Sequence, residues 1–157
     1  MKTGTILATV SAIALAAGTI YWLRGVPYIM ANATPGIWGG MVAQFRPEHA
    51  GGCWMCFRQA LYGENPTIEL PPADPAGEVQ PPGCAEATFT GAAFDAEEVS
   101  LEAVRMAVGV LRAADGYPET DWDVSVLQLR GEDGRRNPPH WEGLQIQPHP
   151  KCACQRT

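Results

Sequence analysis

The sequence predicts an α+β fold in which a single N-terminal transmembrane helix precedes a small, disulfide-containing, extracytoplasmic β-α-β-β domain. Three observations predict it: a long uncharged N-terminal segment, five cysteines in 157 residues, and one amphipathic helical stretch followed by two runs of alternating apolar and polar residues. Once a membrane segment is set aside, a chain of this length accommodates one small soluble domain.

The uncharged segment comes first, from Thr3 to Leu23. As a helix, these residues span roughly 30 Å, which matches the hydrocarbon core of a bilayer. Tyr21 and Trp22 stand where an interfacial aromatic belt belongs. We therefore predict a single-pass, uncleaved signal-anchor over 1–24, with a cytoplasmic N-terminus and a periplasmic or extracytoplasmic C-terminal domain. A cleaved signal peptide is the alternative, because alanines at 12, 14 and 16 fit the small-x-small pattern of a cleavage site.

Small residues recur within this segment at a spacing that lets another helix approach closely in lipid. We therefore expect a helix-packing face that contacts integral membrane protein subunits as well as the lipid bilayer. Its members are Gly4, Ala8, Ala12, Ala14 and Gly18.

The next segment, 25–63, continues without charge as far as Phe45, but its prolines and glycines are incompatible with a second membrane span. We expect a membrane-proximal or partner-contacting surface here. The alternative is that the same side chains pack into the core of the soluble domain. The residues concerned are Tyr28, Ile29, Met30, Ile37, Trp38, Met41 and Val42.

An acidic, proline-rich stretch over 64–83 predicts an extended linker, and 84–157 predicts the small α+β domain. Its helix is expected to begin at an Asp95 cap and to stop at Asp115-Gly116. Strands are expected over 86–90, 122–130 and 143–147, with a turn over 131–134. The predicted apolar face of the helix consists of Leu101, Val104, Val108 and Leu111.

The cysteines carry the sharpest motif of the chain, a CxxC at Cys53 and Cys56 that is matched by a distant CxC at Cys152 and Cys154. We expect disulfides among these four, with Cys84 left over, because such a density of cysteine is typical of an oxidising compartment. The main alternative is a Zn²⁺ or Cu⁺ site made by the same four thiolates, with His149 near in the chain. A thiol-disulfide redox pair at the CxxC is a further alternative.

Other chemistries lack their motifs. Phe57 stands where a haem-attachment site needs histidine, and His49, His140 and His149 lie in proline- or glycine-rich contexts that predict loops. The acidic residues at 115, 119, 121 and 123 do not follow the ligand order of a calcium-binding loop. No nucleophile, phosphate-binding or metalloprotease motif occurs. The net charge of −6 argues against nucleic acid as a partner.

These observations predict a non-catalytic accessory or structural subunit of a larger membrane protein complex, without a cofactor. Its transmembrane helix and residues 25–45 would contact neighbouring subunits, and the C-terminal domain would cap an extracytoplasmic face. A membrane-tethered thiol-redox or metal-binding protein is the alternative function.

Overall fold

The computed structural model describes residues 20–49, 51–79, 88–150 and 152. The chain forms two compact units, and each draws on separate stretches of sequence. The sheet unit comprises residues 29–43 and 69–144, and the cysteine unit comprises residues 1–28, 44–68 and 145–157. The α+β class is confirmed, since helices occur together with a four-stranded antiparallel sheet.

The four-stranded sheet has the order β1-β2-β5-β6. Its strands are β1 (Tyr28–Ala33), β2 (Gly39–Phe45), β5 (Val124–Arg130) and β6 (Arg136–Leu144), and a 3-10 turn at Pro35–Ile37 joins the first two. The central strands β2 and β5 run antiparallel, with Met41 opposite Val126 and Ala43 opposite Val124. A separate two-stranded sheet pairs β3 (Glu78–Val79) with β4 (Thr88–Phe89).

The predicted helix is present as α2 (Ala93–Arg112), followed by a 3-10 turn at Ala113–Asp115 and by Gly116 in the left-handed region at φ 77°. The core of the sheet unit forms between this helix and one face of the sheet. Its buried members are Ile37, Val42, Val99, Met106, Leu127 and Leu129.

The predicted apolar face of this helix is wrong. Leu101, Val104 and Leu111 are 50%, 57% and 81% exposed, whereas the buried side of α2 carries Val99 and Met106 together with two carboxylates. An apolar periodicity cannot identify a buried face that contains charged residues, so the pattern indicated the opposite side of the helix.

Both buried carboxylates of α2 have polar partners within the sheet unit. Asp95, predicted as the helix cap, instead lies inside the first turn, where it is 2% exposed and accepts a 3.0 Å hydrogen bond from Nη2 of Arg136. Glu102 accepts a 2.8 Å hydrogen bond from the hydroxyl of Ser125, which itself accepts one of 2.7 Å from the indole of Trp122. These bonds compensate for taking charge out of water.

The edge strand β6 differs from the prediction in two respects. The last strand occupies Arg136–Leu144 instead of 143–147, and His140 lies within it instead of in a loop. A loop was predicted around His140 because two prolines, Pro138 and Pro139, precede it. An outer strand tolerates them because only one side of it must donate to a neighbour.

Among its described residues, the cysteine unit contains helical backbone at 20–23, the helix α1 (Trp54–Tyr62), and a chain of aromatic contacts. The rings of Tyr21 and Tyr28 stack at 5.8 Å, and that of Tyr28 stacks on Phe45 at 5.6 Å. Trp54 and Phe57 of α1 contact the edge of Phe45. Burial, and secondarily the neighbouring Tyr21, raise the pKa of Tyr28 above its ordinary value of 10.0.

The predicted transmembrane helix is not supported. Among residues 20–49, 51–79 and 88–150, no helix is both long and apolar enough to cross a membrane. Helical backbone ends at Leu23, and Gly25 then takes φ 68° as the chain turns toward β1. Tyr21 stacks on Tyr28 instead of forming an interfacial belt, and Trp22 is only 9% exposed. The signal-anchor prediction is therefore corrected, and its residues 1–19 lie outside the described part of the chain.

The residues expected to form a contact surface lie mostly in the first two strands. Ile37, Met41 and Val42 are 5%, 5% and 0% exposed, so their side chains pack inside the protein. The other four, Tyr28, Ile29, Met30 and Trp38, are half-buried. The proposed helix-packing residues, from Gly4 to Gly18, lie outside the described residues.

Candidate metal centre

Three cysteine thiols meet in the cysteine unit. Cys53 is the residue at the N-cap position of α1, and Cys56 lies in the first turn of that helix. Their i, i+3 spacing brings the two Sγ atoms to 3.9 Å. The Sγ of Cys152, from the other end of the chain, lies 3.5 Å from that of Cys53. All three sulfurs lie within 4.8 Å of one another, and no other such group of ligand side chains occurs among the described residues.

Backbone hydrogen bonds hold the C-terminal segment against the start of α1. The N–H of Gly52 donates to the carbonyl of Ile146 at 2.8 Å, and a turn closes where the N–H of Cys152 donates to the carbonyl of His149, also at 2.8 Å. Gly52 is required by the close approach, because an added Cβ would lie 2.5 Å from Cγ2 of Ile146 and 2.8 Å from Cβ of Cys56. Residues 52–56 and 146–152, which are far apart in the sequence, therefore meet at the thiols.

The surroundings of the thiols combine burial with the N-terminus of a helix. Cys53 and Cys56 are 6% and 1% exposed, and the backbone N–H of His149 donates to the Sγ of Cys56 at 3.2 Å. The first turn of α1 contains no acidic residue, and its backbone N–H groups and dipole stabilise anions at that end of the helix. Cysteine binds metal ions as the thiolate, so a metal site here would place its sulfur charge at the positive end of α1.

The distances distinguish a disulfide from a metal site. A disulfide bond is about 2.05 Å long, whereas four sulfurs placed about 2.3 Å from a tetrahedral ion stand about 3.8 Å apart. The Sγ–Sγ separations of 3.5 and 3.9 Å lie on either side of the sulfur–sulfur distance of about 3.8 Å expected around a tetrahedral ion. No two described cysteines are at a disulfide distance, so a disulfide between any two of Cys53, Cys56 and Cys152 is not supported. Cys84 and Cys154 lie outside the described residues.

A cavity of about 640 Å³ in the cysteine unit borders the thiol cluster. Cys56 and His149 contribute to its wall, and the remaining lining comes from the C-terminal half of α1, the loop that follows it, and residues 147–150. Of the three clustered cysteines, Cys56 alone lines this cavity.

Sequence reasoning paired the CxxC with the distant CxC but missed two parts of the site. One is the position of Cys53 at a helix N-terminus, which was detectable because Trp54–Tyr62 contains no helix breaker and Gly63 follows. The other is the contribution of His149 through its backbone N–H, for which a sequence offers no signal.

Comparisons with known proteins identify relatives but no activity. No family model matches the chain. Two proteins of Sinorhizobium fredii (strain NBRC 101917 / NGR234) are similar to it, and both bear names that state no function. The uncharacterized protein y4oA is 45% identical over 130 residues, which are 83% of this chain and 21% of that protein. The uncharacterized protein y4qC is 40% identical over 144 residues, which are 87% of this chain and 24% of that protein.

The chain thus spans about a fifth to a quarter of the length of the curated relatives it matches. Nothing in their names indicates catalysis.

Proposed function

We propose that this chain carries a structural zinc module in which Cys53, Cys56 and Cys152 bind one Zn²⁺ as thiolates. The observation that carries the proposal is the pair of Sγ separations, 3.5 and 3.9 Å, which fit the edges of a thiolate tetrahedron around zinc. We assign the fourth position to Cys154 on the basis of its CxC spacing.

The identity of the metal follows from the donor set. Sulfur ligands select Zn²⁺ or Cu⁺ and disfavour Ca²⁺ and Mg²⁺, which bind oxygen. A tetrahedron of four sulfurs is the geometry typical of structural zinc. Because Cu⁺ also binds sulfur ligands, the metal analysis must measure copper as well as zinc.

The module is proposed to be structural, without a catalytic role. Structural zinc sites are closed by four protein ligands, whereas catalytic sites keep one position for water or substrate. The burial of Cys53 and Cys56 supports a closed site, as does the short link from Cys152 to the fourth cysteine.

Its role would be to fold the cysteine unit. The metal would join the first turn of α1 to residues 145–152, which are almost one hundred positions away in the sequence. Apparent binding free energies of structural zinc in small domains reach about 10–16 kcal/mol, which is comparable to the whole stability of a domain. Without the metal, this unit is expected to lose its order.

A thiol-disulfide function is the second candidate, and one observation favours it. Cys53 lies at the N-terminus of a helix with Cys56 3.9 Å away, which is the CxxC arrangement of disulfide oxidoreductases. Their burial argues against it, because reactive cysteines are partly exposed, and the third thiol at 3.5 Å is better suited to a metal. The accessory role in an assembly stays a prediction.

The test is elemental analysis of the purified full chain together with a count of reactive thiols. We expect one zinc per chain, loss of that zinc in Cys53→Ser and Cys152→Ser, and its retention in Cys84→Ser, the cysteine outside both motifs. Cobalt substitution supplies a second readout, because tetrahedral thiolate coordination gives intense sulfur-to-cobalt charge-transfer absorption. A metal-free native protein with Cys53 joined to Cys56 would contradict the proposal and support the redox candidate.

A further inference from the structure

A row of apolar side chains lies exposed along α2 in the sheet unit. We call this row the outer stripe, and Phe94, Leu101, Val104 and Leu111 in it are 59%, 50%, 57% and 81% exposed. Val108 completes it and is half-buried. The stripe lies on the side of α2 opposite to Val99 and Met106, which pack into the core.

The spacing of the outer stripe is that of a helix-pairing seam. From Leu101 to Leu111 its residues recur at intervals of three and four, and Phe94 precedes Leu101 by seven, with the exposed Glu97 at the position of the pattern between them. Alternating steps of three and four keep apolar side chains in one line that faces a partner helix. Apolar side chains that are merely scattered over a surface do not follow such a line.

We propose that two copies of this chain associate by antiparallel pairing of their α2 helices along the outer stripe. An antiparallel pair places Phe94 of one copy against Leu111 of the other, and Leu101 against Val104. Both contacts are then centred on one two-fold axis, which crosses the helix between residues 102 and 103. Closed two-fold pairing of one surface with itself is the commonest form of protein oligomer.

The charges beside the stripe favour this orientation. Glu98 lies near the start of α2 and Arg112 at its end, on the same flank of the stripe. In an antiparallel pair each Glu98 lies beside Arg112 of the other copy, whereas in a parallel pair the residue beside Glu98 is the uncharged Ala93 of the other copy. Arg112 already contacts Asp115 at 3.2 Å, but both side chains are about 60% exposed, so that pair does not prevent a second carboxylate from binding.

The other flank permits close approach of the helices. Its residues are small, namely Ala93, Ser100 and Ala107. The one like-charge contact falls near the axis, between the two copies of Arg105, and each of these lies 3.5 Å from Glu102 of its own chain. The guanidinium of Arg136 lies over the ring of Phe94 at 5.4 Å, yet the ring stays more than half exposed for the partner.

The size of the stripe indicates a weak association. Burying its five side chains from both copies removes on the order of 1,000 Å² of surface in total, which is at the lower end of specific interfaces. We therefore expect a monomer-dimer equilibrium that depends on protein concentration, instead of an obligate dimer.

Analytical ultracentrifugation of the full chain over a range of concentrations tests the proposal. The wild type is expected to shift from monomer to dimer, and Leu101→Glu is expected to remain monomeric at the highest concentration. Leu70→Glu is the matched control, because Leu70 is an equally exposed leucine, at 49%, outside α2. This control should dimerise like the wild type.

A charge exchange tests the orientation. Glu98→Arg alone should weaken the dimer at least several-fold, because it then faces Arg112 of the partner, and the double variant Glu98→Arg/Arg112→Glu should restore it. A wild type that stays monomeric at all concentrations, or a dimer unaffected by Leu101→Glu, would overturn the proposal. Failure of the double variant to recover association would overturn the antiparallel arrangement.

Discussion

The hydroxyl of Ser125 offers a quantitative test of how the sheet unit accommodates a buried charge. It donates to Oε1 of Glu102 at 2.8 Å. Glu102 lies on the buried side of α2, and it is only 9% exposed. Its other oxygen, Oε2, lies 3.5 Å from Arg105, whose side chain is largely exposed and therefore screened by water. Ser125 is thus the closest buried donor that the structure places on this carboxylate.

Replacing Ser125 by alanine removes that donor and leaves Glu102 in the same apolar surroundings. A hydrogen bond to a charged group contributes about 1.5–3 kcal/mol, and the indole of Trp122 also loses its 2.7 Å bond to the hydroxyl. We therefore expect Ser125→Ala to lower the free energy of unfolding by about 2–4 kcal/mol. Equilibrium urea unfolding, followed by circular dichroism at neutral pH, measures it.

Two further variants show whether the carboxylate is the cause. Ser100→Ala removes a hydroxyl that bonds only to the carbonyl of Ala96 on the exposed side of the same helix, and should change stability by less than about 0.5 kcal/mol. Ser125→Ala combined with Glu102→Leu should be more stable than Ser125→Ala alone, because no buried charge is then left without its donor. A Ser125→Ala protein as stable as the wild type would refute the reasoning.

Two other predictions concern the aromatic contacts and the packing of the helix on the sheet. Because burial raises the pKa of Tyr28, its neutral form stabilises the fold fully below pH 10, and that contribution should be lost as the pH rises through the higher folded pKa. Ultraviolet titration should detect a late-ionising tyrosine that Tyr28→Phe removes and that Tyr62→Phe, at a 63% exposed site, leaves in place. Gly40→Ala should destabilise the protein by about 1–3 kcal/mol in urea unfolding, because the new Cβ would lie 2.4 Å from Cγ2 of Val99. Gly131→Ala should cost clearly less, because its new Cβ would meet only the ends of two side chains, Oδ1 of Asp133 at 3.1 Å and Nδ2 of Asn137 at 3.8 Å.

One helix and one strand were predictable, but the strands β1 and β2, the helix α1 and the surfaces that the elements bury were not. The extent of α2 and the strand β5 followed from local patterns, since both are long and periodic. The buried face of α2 did not, because Asp95 and Glu102 lie on it and their partners, Arg136 and Ser125, are distant in sequence. Long-range polar pairing leaves no trace in an apolar periodicity.

The N-terminal region shows the same limit in another form. An uncharged run ending in Tyr21 and Trp22 is compatible both with a bilayer and with burial in a protein, because both environments exclude water. The stacking of Tyr21 on Tyr28 and the burial of Trp22 are tertiary contacts that depend on where β1 runs. The sequence alone could not distinguish the two environments for these side chains.

The candidate site was predictable in its members and not in its chemistry. The CxxC and CxC spacings predicted that Cys53, Cys56 and Cys152 lie together, either as disulfide partners or as metal ligands. The choice between those alternatives depends on sulfur separations that differ by less than 2 Å, and only coordinates provide them.

X-ray absorption at the zinc edge of the purified protein tests the central proposal most directly. We predict a first shell of sulfur atoms at about 2.3 Å, with four sulfurs in the wild type and a lower sulfur number in Cys152→Ser. A shell made mainly of nitrogen or oxygen, or a protein that binds no zinc while its cysteines are reduced, would contradict the assignment of Cys53, Cys56 and Cys152 as a zinc site.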